Sequence, residues 1–192
     1  MQSLATTRLH LIPLSIGDAP AIQRSFPKWE IVRWMNDAVP WPYPEDGAEG
    51  YLRGVALPAI EAGKAWHWSL RPREQPDILI GVISLIDQPD DNRGFWLTPE
   101  WQQRGLMTEA SDAVTDYWFE VLGREILRVP KAVDNPSSRR ISEKQGMRVI
   151  ACFPRQLVSG VHQVELWEIS RDVWRAQRTK RTLVQDVSSR RH

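Results

Sequence analysis

A chain of 192 residues is long enough to bury a sizeable core and short enough for one domain. A formal net charge of +1 offers no global field for nucleic acid or a membrane surface. The single cysteine, Cys152, rules out an internal disulfide framework and a cysteine-based zinc site. No apolar run approaches the roughly 20 residues of a membrane span and the first residues lack the pattern of a signal peptide, so a cytoplasmic protein without a metal is expected.

Thr7–Leu14 alternates as a first strand, and Asp18 with Ala19-Pro20 starts a short helix. Between Pro27 and Pro44 three tryptophans and several prolines follow no period, which predicts a loop and broken helix. A second helix runs from Glu45 to about Ala62, interrupted near Pro58. Trp66–Leu70 alternates as a strand, and the apolar run Ile78–Ile86 predicts a strand covered on both faces. Gly94–Leu97 (GFWL) is the next strand, and the turn TPEWQQRG leads from it into a long helix. There Leu106, Ala110, Ala113, Val114, Tyr117, Trp118 and Val121 share one face, and Gly123 supplies a stop. Ile126–Val133 is a strand containing Pro130. Either that strand lacks a neighbour on one side at Pro130 or it ends before it. Asn135-Pro136 begins a short helix ending at Gly146, and Met147–Gln156 with His162–Ser170 forms a hairpin about Ser159-Gly160. Residues 1–174 are expected to form one domain, with 175–192 a basic tail or appended helix. The order of runs gives a mixed α/β sheet with helices on its faces.

A strand that passes through a glycine turn into a helix leaves free N–H groups at the helix start, where the dipole favours an anion such as phosphate. The spacing is neither the dinucleotide fingerprint nor a P-loop. Gln102-Gln103-Arg104-Gly105-Leu106-Met107 resembles the Q/R-x-x-G-x-G/A pyrophosphate loop of the GNAT acyltransferase superfamily, with Met107 in place of the usual Gly or Ala. Asn135 to Met147 (NPSSRRISEKQGM) is similar to the N-x-x-S-x-x-x-x-x-K-x-G-F signature of its RimJ/RimL branch. Gly94–Leu97 and Thr108-Glu109-Ala110 resemble further pieces of that branch. The resemblance covers residues 7–174. It implies the GNAT fold, a twisted and mostly antiparallel sheet of about seven strands with splayed fourth and fifth strands.

The implied reaction moves an acetyl group from acetyl-CoA directly to a primary amine, either the N-terminal α-amino group of a protein, such as a ribosomal protein, or a small amine (polyamine, amino acid, aminoglycoside). The backbone of Gln102, Gln103, Arg104, Gly105, Leu106, Met107 and Thr108 would hold the pyrophosphate. Trp96 and Leu97 would pair with the pantetheine arm through their backbone, and Asn135 would touch it. Ser138 is the expected acid or donor to the leaving sulfur, since Ser142 stands where many members carry tyrosine. Gln156 stands where relatives have a glutamate base, which leaves His67, Glu109, His162 and Glu165 as candidates or a water relay. Trp34, Trp41, Tyr43 and His67 would line the acceptor site, though the aromatic residues equally suit pinning a loop to the sheet. Trp118, Trp167 and Trp174 are expected in the core, and Cys152 as a buried small residue. The implied oligomer is a monomer or homodimer. A non-catalytic acyl-CoA-binding module, docking a partner through the basic tail, is the alternative from another class.

Overall fold

The computed structural model describes the backbone of residues 1–189 and the side chains of residues 1–180. Two sheets carry the fold. The first has the order β1-β2-β3-β4-β5, with β1 Leu4–Ala5, β2 Leu9–Pro13, β3 Ala65–Pro72, β4 Gly81–Ile86 and β5 Arg93–Leu97. The second has the order β6-β8-β7, with β6 Ile126–Ala132, β7 Arg148–Leu157 and β8 Gly160–Ser170. Every ladder is antiparallel. The splay of the GNAT fold falls here between β5 and β6, because the two-residue β1 shifts the count by one.

Helices cover both faces of the first sheet. On one lie α1 Ala19–Ser25, α2 Trp29–Val32, α3 Gly47–Tyr51 and α4 Leu57–Glu61. Leu14, Ile22, Phe26, Val32, Ala48, Leu52 and Val82 form the core between them. A π-turn, Leu52–Ala56, joins α3 to α4 through the bond from Leu57 N–H to the Leu52 carbonyl. Pro58 has no N–H to give its own turn, so the break expected there is absorbed one turn earlier. On the opposite face, α5 Leu106–Asp116 lays Leu106, Met107, Ala110 and Val114 on Leu11, Trp68, Ile83 and Leu85. This larger core runs on under the second sheet through Leu127, Val129, Trp167 and α6 Pro136–Lys144. Trp118, Trp167 and Trp174 are all buried in it, as their apolar neighbours predict.

α7 Arg171–Ser189 follows β8. Its first turns are fixed to α5 and the π-turn beyond it: Trp174 Nε1 donates to Asp116 at 2.8 Å and Arg175 pairs with Glu120 at 2.7 Å. Residues 190–192, the end of the expected tail, lie outside the described residues. Cys152 is exposed rather than buried. β7 is an edge strand, and the bulge between Val149 and Ala151 leaves this stretch facing solvent, so the apolar neighbours of Cys152 gave the wrong signal.

Candidate active site

The turn before α5 is built to present N–H groups. Gln103 (φ 60°) and Gly105 (φ 76°) both adopt the left-handed conformation, and the first helical bond is Glu109 N–H to the Gly105 carbonyl. The N–H groups of Leu106, Met107 and Thr108 therefore have no partner within the helix and point out of its positive end. Gln102 Nε2 donates to the Leu97 carbonyl at 2.8 Å, which ties the turn to the end of β5. Arg104 stacks on Trp101, 5.0 Å from the ring centroid, with its carbonyl held by Arg8 Nη1 at 2.9 Å. Glu109 accepts from the backbone and guanidinium of Arg8 and from Thr6, clamping the start of the chain to α5. That bonding removes it from the candidate bases.

Beside this turn lies a cleft. β5 and β6 run in the same direction from a common base, where Asn92 N–H donates to the Arg128 carbonyl and Arg128 N–H donates to Asn92 Oδ1, both at 2.8 Å. Above that point they share no ladder and belong to different sheets. Alternation fixes which groups face the gap. Thr98 N–H bonds to Ile80 and Trp96 is the register partner of Val82, so the backbone of Phe95 and Leu97 faces outward. The expectation that Trp96 offers its backbone there is corrected: its polar groups lie on the β4 side. Gly81 makes that close pairing possible, since a Cβ there would sit 2.3 Å from the Trp96 carbonyl oxygen.

On the other wall Val133 N–H bonds to Gln163 of β8, so the alternate residues Pro130 and Ala132 turn their backbone to the gap. The strand does not end at Pro130, which pairs with Leu166 on its β8 side. A residue with no N–H stands where there is no strand to receive one. The Ala132 carbonyl is taken by Asn135 N–H at 3.0 Å and the Leu97 carbonyl by Gln102. That leaves the Phe95 backbone, the Leu97 and Ala132 N–H groups and the Pro130 carbonyl facing the gap without a strand partner. Such walls, with free N–H groups at the mouth, fit an extended arm carrying a diphosphate.

The acetyltransferase (GNAT) domain model matches residues 8–148, well over half of the chain. The chain belongs to the GNAT acetyltransferase family. YdaF of Bacillus subtilis (strain 168), named as a candidate ribosomal N-acetyltransferase, is 32% identical over 94 residues, and that match spans only 46% of its length. Among solved structures, RimL, a ribosomal L7/L12 α-N-protein acetyltransferase in complex with coenzyme A, superposes with a TM-score of 0.76 at 17% identity, covering 90% of this chain and 99% of that one. Spermidine N-acetyltransferase of Vibrio cholerae, in complex with CoA and spermine, gives 0.71 at 19% identity, covering 86% and 97%. The fold is thus the GNAT fold, shared with these enzymes.

The GNAT signature after β6 places two half-buried side chains at the cleft mouth. Asn135 caps α6, its Oδ1 accepting from Ser138 N–H at 3.2 Å, which leaves its amide NH2 available to a ligand. The Ser138 hydroxyl makes no hydrogen bond among the described residues. Ser142, one turn further on, is fully buried with its Oγ unpartnered.

The remaining base candidates separate by environment. His67 is 3% exposed, bonded through Nδ1 to Ser84 Oγ at 2.6 Å, and burial pulls its pKa down to about 4. Glu165 is paired with Arg139 at 2.9 Å and accepts from Trp167 Nε1. Gln156 donates to the Leu157 carbonyl. His162, at the open end of β8, sits between Asp134 Oδ2 (3.1 Å from Nδ1) and Ser159 Oγ (2.9 Å from Nε2). Asp134 immediately precedes Asn135. Ser159 Oγ gives its one proton to the Arg33 carbonyl at 2.7 Å, so it meets Nε2 as an acceptor while Nδ1 faces the carboxylate.

The expected aromatic wall is divided. Trp34 packs edge-on to His162 at 5.4 Å, whereas Trp41 tilts against Trp29 at 5.5 Å and is 43% exposed. Tyr43 meets Phe26 edge-on at 5.2 Å, and Phe26 tilts against Trp96 at 5.3 Å, a row leading from α1 to β5. Burial raises the Tyr43 phenol to about 12. Two residues of the cleft, Phe95 and Lys131, were not among the expected site residues. Strand parity relative to GFWL could have found Phe95, and nothing in the sequence marked Lys131.

Proposed function

We propose that this GNAT protein is an acetyl-CoA-dependent N-acetyltransferase, moving the acetyl group directly to a primary amine. The observation that carries the proposal is the β5–β6 cleft, whose walls share no ladder above the Asn92–Arg128 base and which opens at the N–H groups that start α5. When bound, acetyl-CoA supplies the activated acetyl thioester. The N–H groups of Leu106, Met107 and Thr108 meet the charge of the diphosphate, and Arg104 adds a cation beside them. Phe95 and Leu97 bond the arm through their backbone and present donors to a developing oxyanion. Asn135 steadies the arm from α6, and Ser138 donates a hydrogen bond toward the sulfur. Of the candidate bases, His162 suits the task, because Asp134 orients it and the acceptor reaches it past Trp34.

The acceptor class that fits the named relatives is the α-amino group of a protein terminus, such as that of a ribosomal protein. A small amine is the second reading, favoured by the superposition on an enzyme named for spermidine. Residues 1–174 would form the catalytic domain and 175–192 its appendage, in a cytoplasmic monomer or homodimer. Among the described residues no helix is long and apolar enough to cross a membrane. The test is thiol release from acetyl-CoA across a panel of small amines and N-terminal peptides, with His162→Ala and Ser138→Ala alongside. Saturable release with one class of amine is expected, with kcat lowered by about 10²-fold or more in His162→Ala. Full turnover by either variant removes that residue's role. Absence of acetyl-CoA binding removes the proposal.

A further inference from the structure

Two basic side chains are buried where β5 and β6 part, with no carboxylate bonded to either among the described residues. Arg93, the first residue of β5, is 1% exposed. Its Nη1 bonds to Thr115 Oγ1 of α5 and to Gln145 Oε1, both at 2.8 Å, while its Nε and Nη2 are buried without a partner. Lys131 comes from the opposite wall, is 6% exposed, and lays its Nζ 4.3 Å from the ring centroid of Phe95. The lysine thus bridges the cleft two residues below Leu97.

Other charges face the pair from every side. Asp91 of the β4–β5 turn acts on Lys131, but both Nη atoms of Arg155 on β7 hold that carboxylate at 3.1 Å. Asp112 of α5 acts on Arg93, and its carboxylate accepts from Gln145 Nε2 at 2.8 Å. Glu165, opposite Lys131 on β8, is taken by Arg139. Burying two cations side by side in this way costs stability and needs another explanation.

We propose that Lys131 is a catalytic residue of the transfer, the group that receives and protonates the departing thiolate, with Arg93 as the positioning cation beneath it. The proposal rests on the acetyltransferase reading of the cleft. An arm anchored at the α5 turn and bonded to Leu97 and Phe95 ends its reactive sulfur near this ammonium. As the carbon–sulfur bond breaks, its electron pair settles on sulfur, and Lys131 gives that sulfur a proton from Nζ. The nitrogen of the new amide releases its second proton, which restores Lys131, while the first amine proton has gone to His162 or solvent.

The transfer is near balance, because a thiolate beside Lys131 favours the charged lysine and offsets the gap between the two groups. Burial and the Arg93 charge lower the lysine to about 7, whereas an alkyl thiol of the cysteine type ionises near ~8.5. Ser138 then contributes a hydrogen bond and Lys131 the proton.

The test is the ionisation of the thiol of bound coenzyme A, followed by its ultraviolet thiolate absorbance across pH, in the full-length protein and in Lys131→Met. Calorimetry with coenzyme A and with its desulfo analogue accompanies it. In the wild type the bound thiol should ionise about one pH unit below the free cofactor, a tenfold gain in thiolate. In Lys131→Met it should return to the free value, and the desulfo analogue should bind both proteins equally. A thiol that titrates as in free coenzyme A overturns the proposal, and the wild-type titration alone decides it should the variant not fold. Equal loss of affinity for both ligands in Lys131→Met overturns it too, by making the lysine a mere wall. Failure of either ligand to bind instead overturns the cleft itself as the cofactor site.

Discussion

Replacing Lys131 by methionine should stabilise the protein at neutral pH, and the structure sets the size and pH range of the effect. Burial first, and the Arg93 charge second, lower this lysine from 10.5 to about 7. Between those two values the unfolded chain binds more protons than the folded one, so stability rises with pH through that window and the penalty is complete below it. At 1.36 kcal/mol per pKa unit the ceiling is roughly 5 kcal/mol, and relaxation around a buried charge reduces it to about 2–3. Against this stands the cation–π contact with Phe95, about 1 kcal/mol, which methionine partly replaces with a sulfur contact. The balance favours the variant by about 1–2 kcal/mol at pH 7, shrinking toward pH 10. Arg93, lowered to about 10 by burial, begins to titrate only at the top of this window and leaves the slope below it to Lys131. Urea unfolding of both proteins at small steps from neutral to about pH 10, with m-values compared, reads the difference directly. Parallel stability curves would refute the reasoning, because the lysine would then carry its ordinary pKa in the fold. So would a less stable variant at neutral pH.

Other substitutions test the remaining parts. Asn135→Ala removes the acceptor for Ser138 N–H; it should lower stability by about 1 kcal/mol in chemical denaturation and weaken coenzyme A in calorimetry. Gly105→Ala places a Cβ only 3.5 Å from Arg8 Nη2, an ordinary contact, so its cost is that of the left-handed backbone. That cost, about 1–2 kcal/mol, should come with a loss of coenzyme A affinity exceeding that of Ala substitutions elsewhere on α5. His67 titrates near 4 in the fold against 6.5 in the unfolded chain. Stability should therefore fall by roughly 3 kcal/mol as pH drops through that interval, and His67→Gln should flatten this part of the acid limb.

The glycine turn and the asparagine-led helix were legible because each depends on local chemistry. Gly105 is the residue that a left-handed helix entry favours, and Asn135-Pro136 is a cap followed by a preset φ. The strand wall was legible only to within one residue. GFWL marks β5, but which of its groups face the gap depends on the pairing of Trp96 with Val82, a long-range register that motifs do not carry. Cys152 failed for a related reason, since an apolar run does not say whether its strand has a neighbour on both sides. Lys131 and Arg93 were invisible for a deeper one. Each looks like a solvated surface charge in the sequence, and only the convergence of β5, β6, α5 and α6 removes them from water.

Four separate features keep the cleft from becoming an ordinary stretch of sheet. Asn92 and Arg128 pin its base, and Pro130 withholds the N–H that a neighbouring strand would accept. At the top Gln102 occupies the Leu97 carbonyl, which would otherwise be a free acceptor at the end of β5. Two walls with unpaired backbone would gain by zipping together, and the twist of the sheets alone would not prevent it. The bridge from Lys131 to Phe95 props the gap at mid-height with a side chain a ligand can displace, where a backbone ladder would have to unzip. On this view the buried charge serves the fold and the chemistry at once. It holds the strands apart at a cost in stability that an apolar residue would not incur, and it places an ammonium where a thiolate departs.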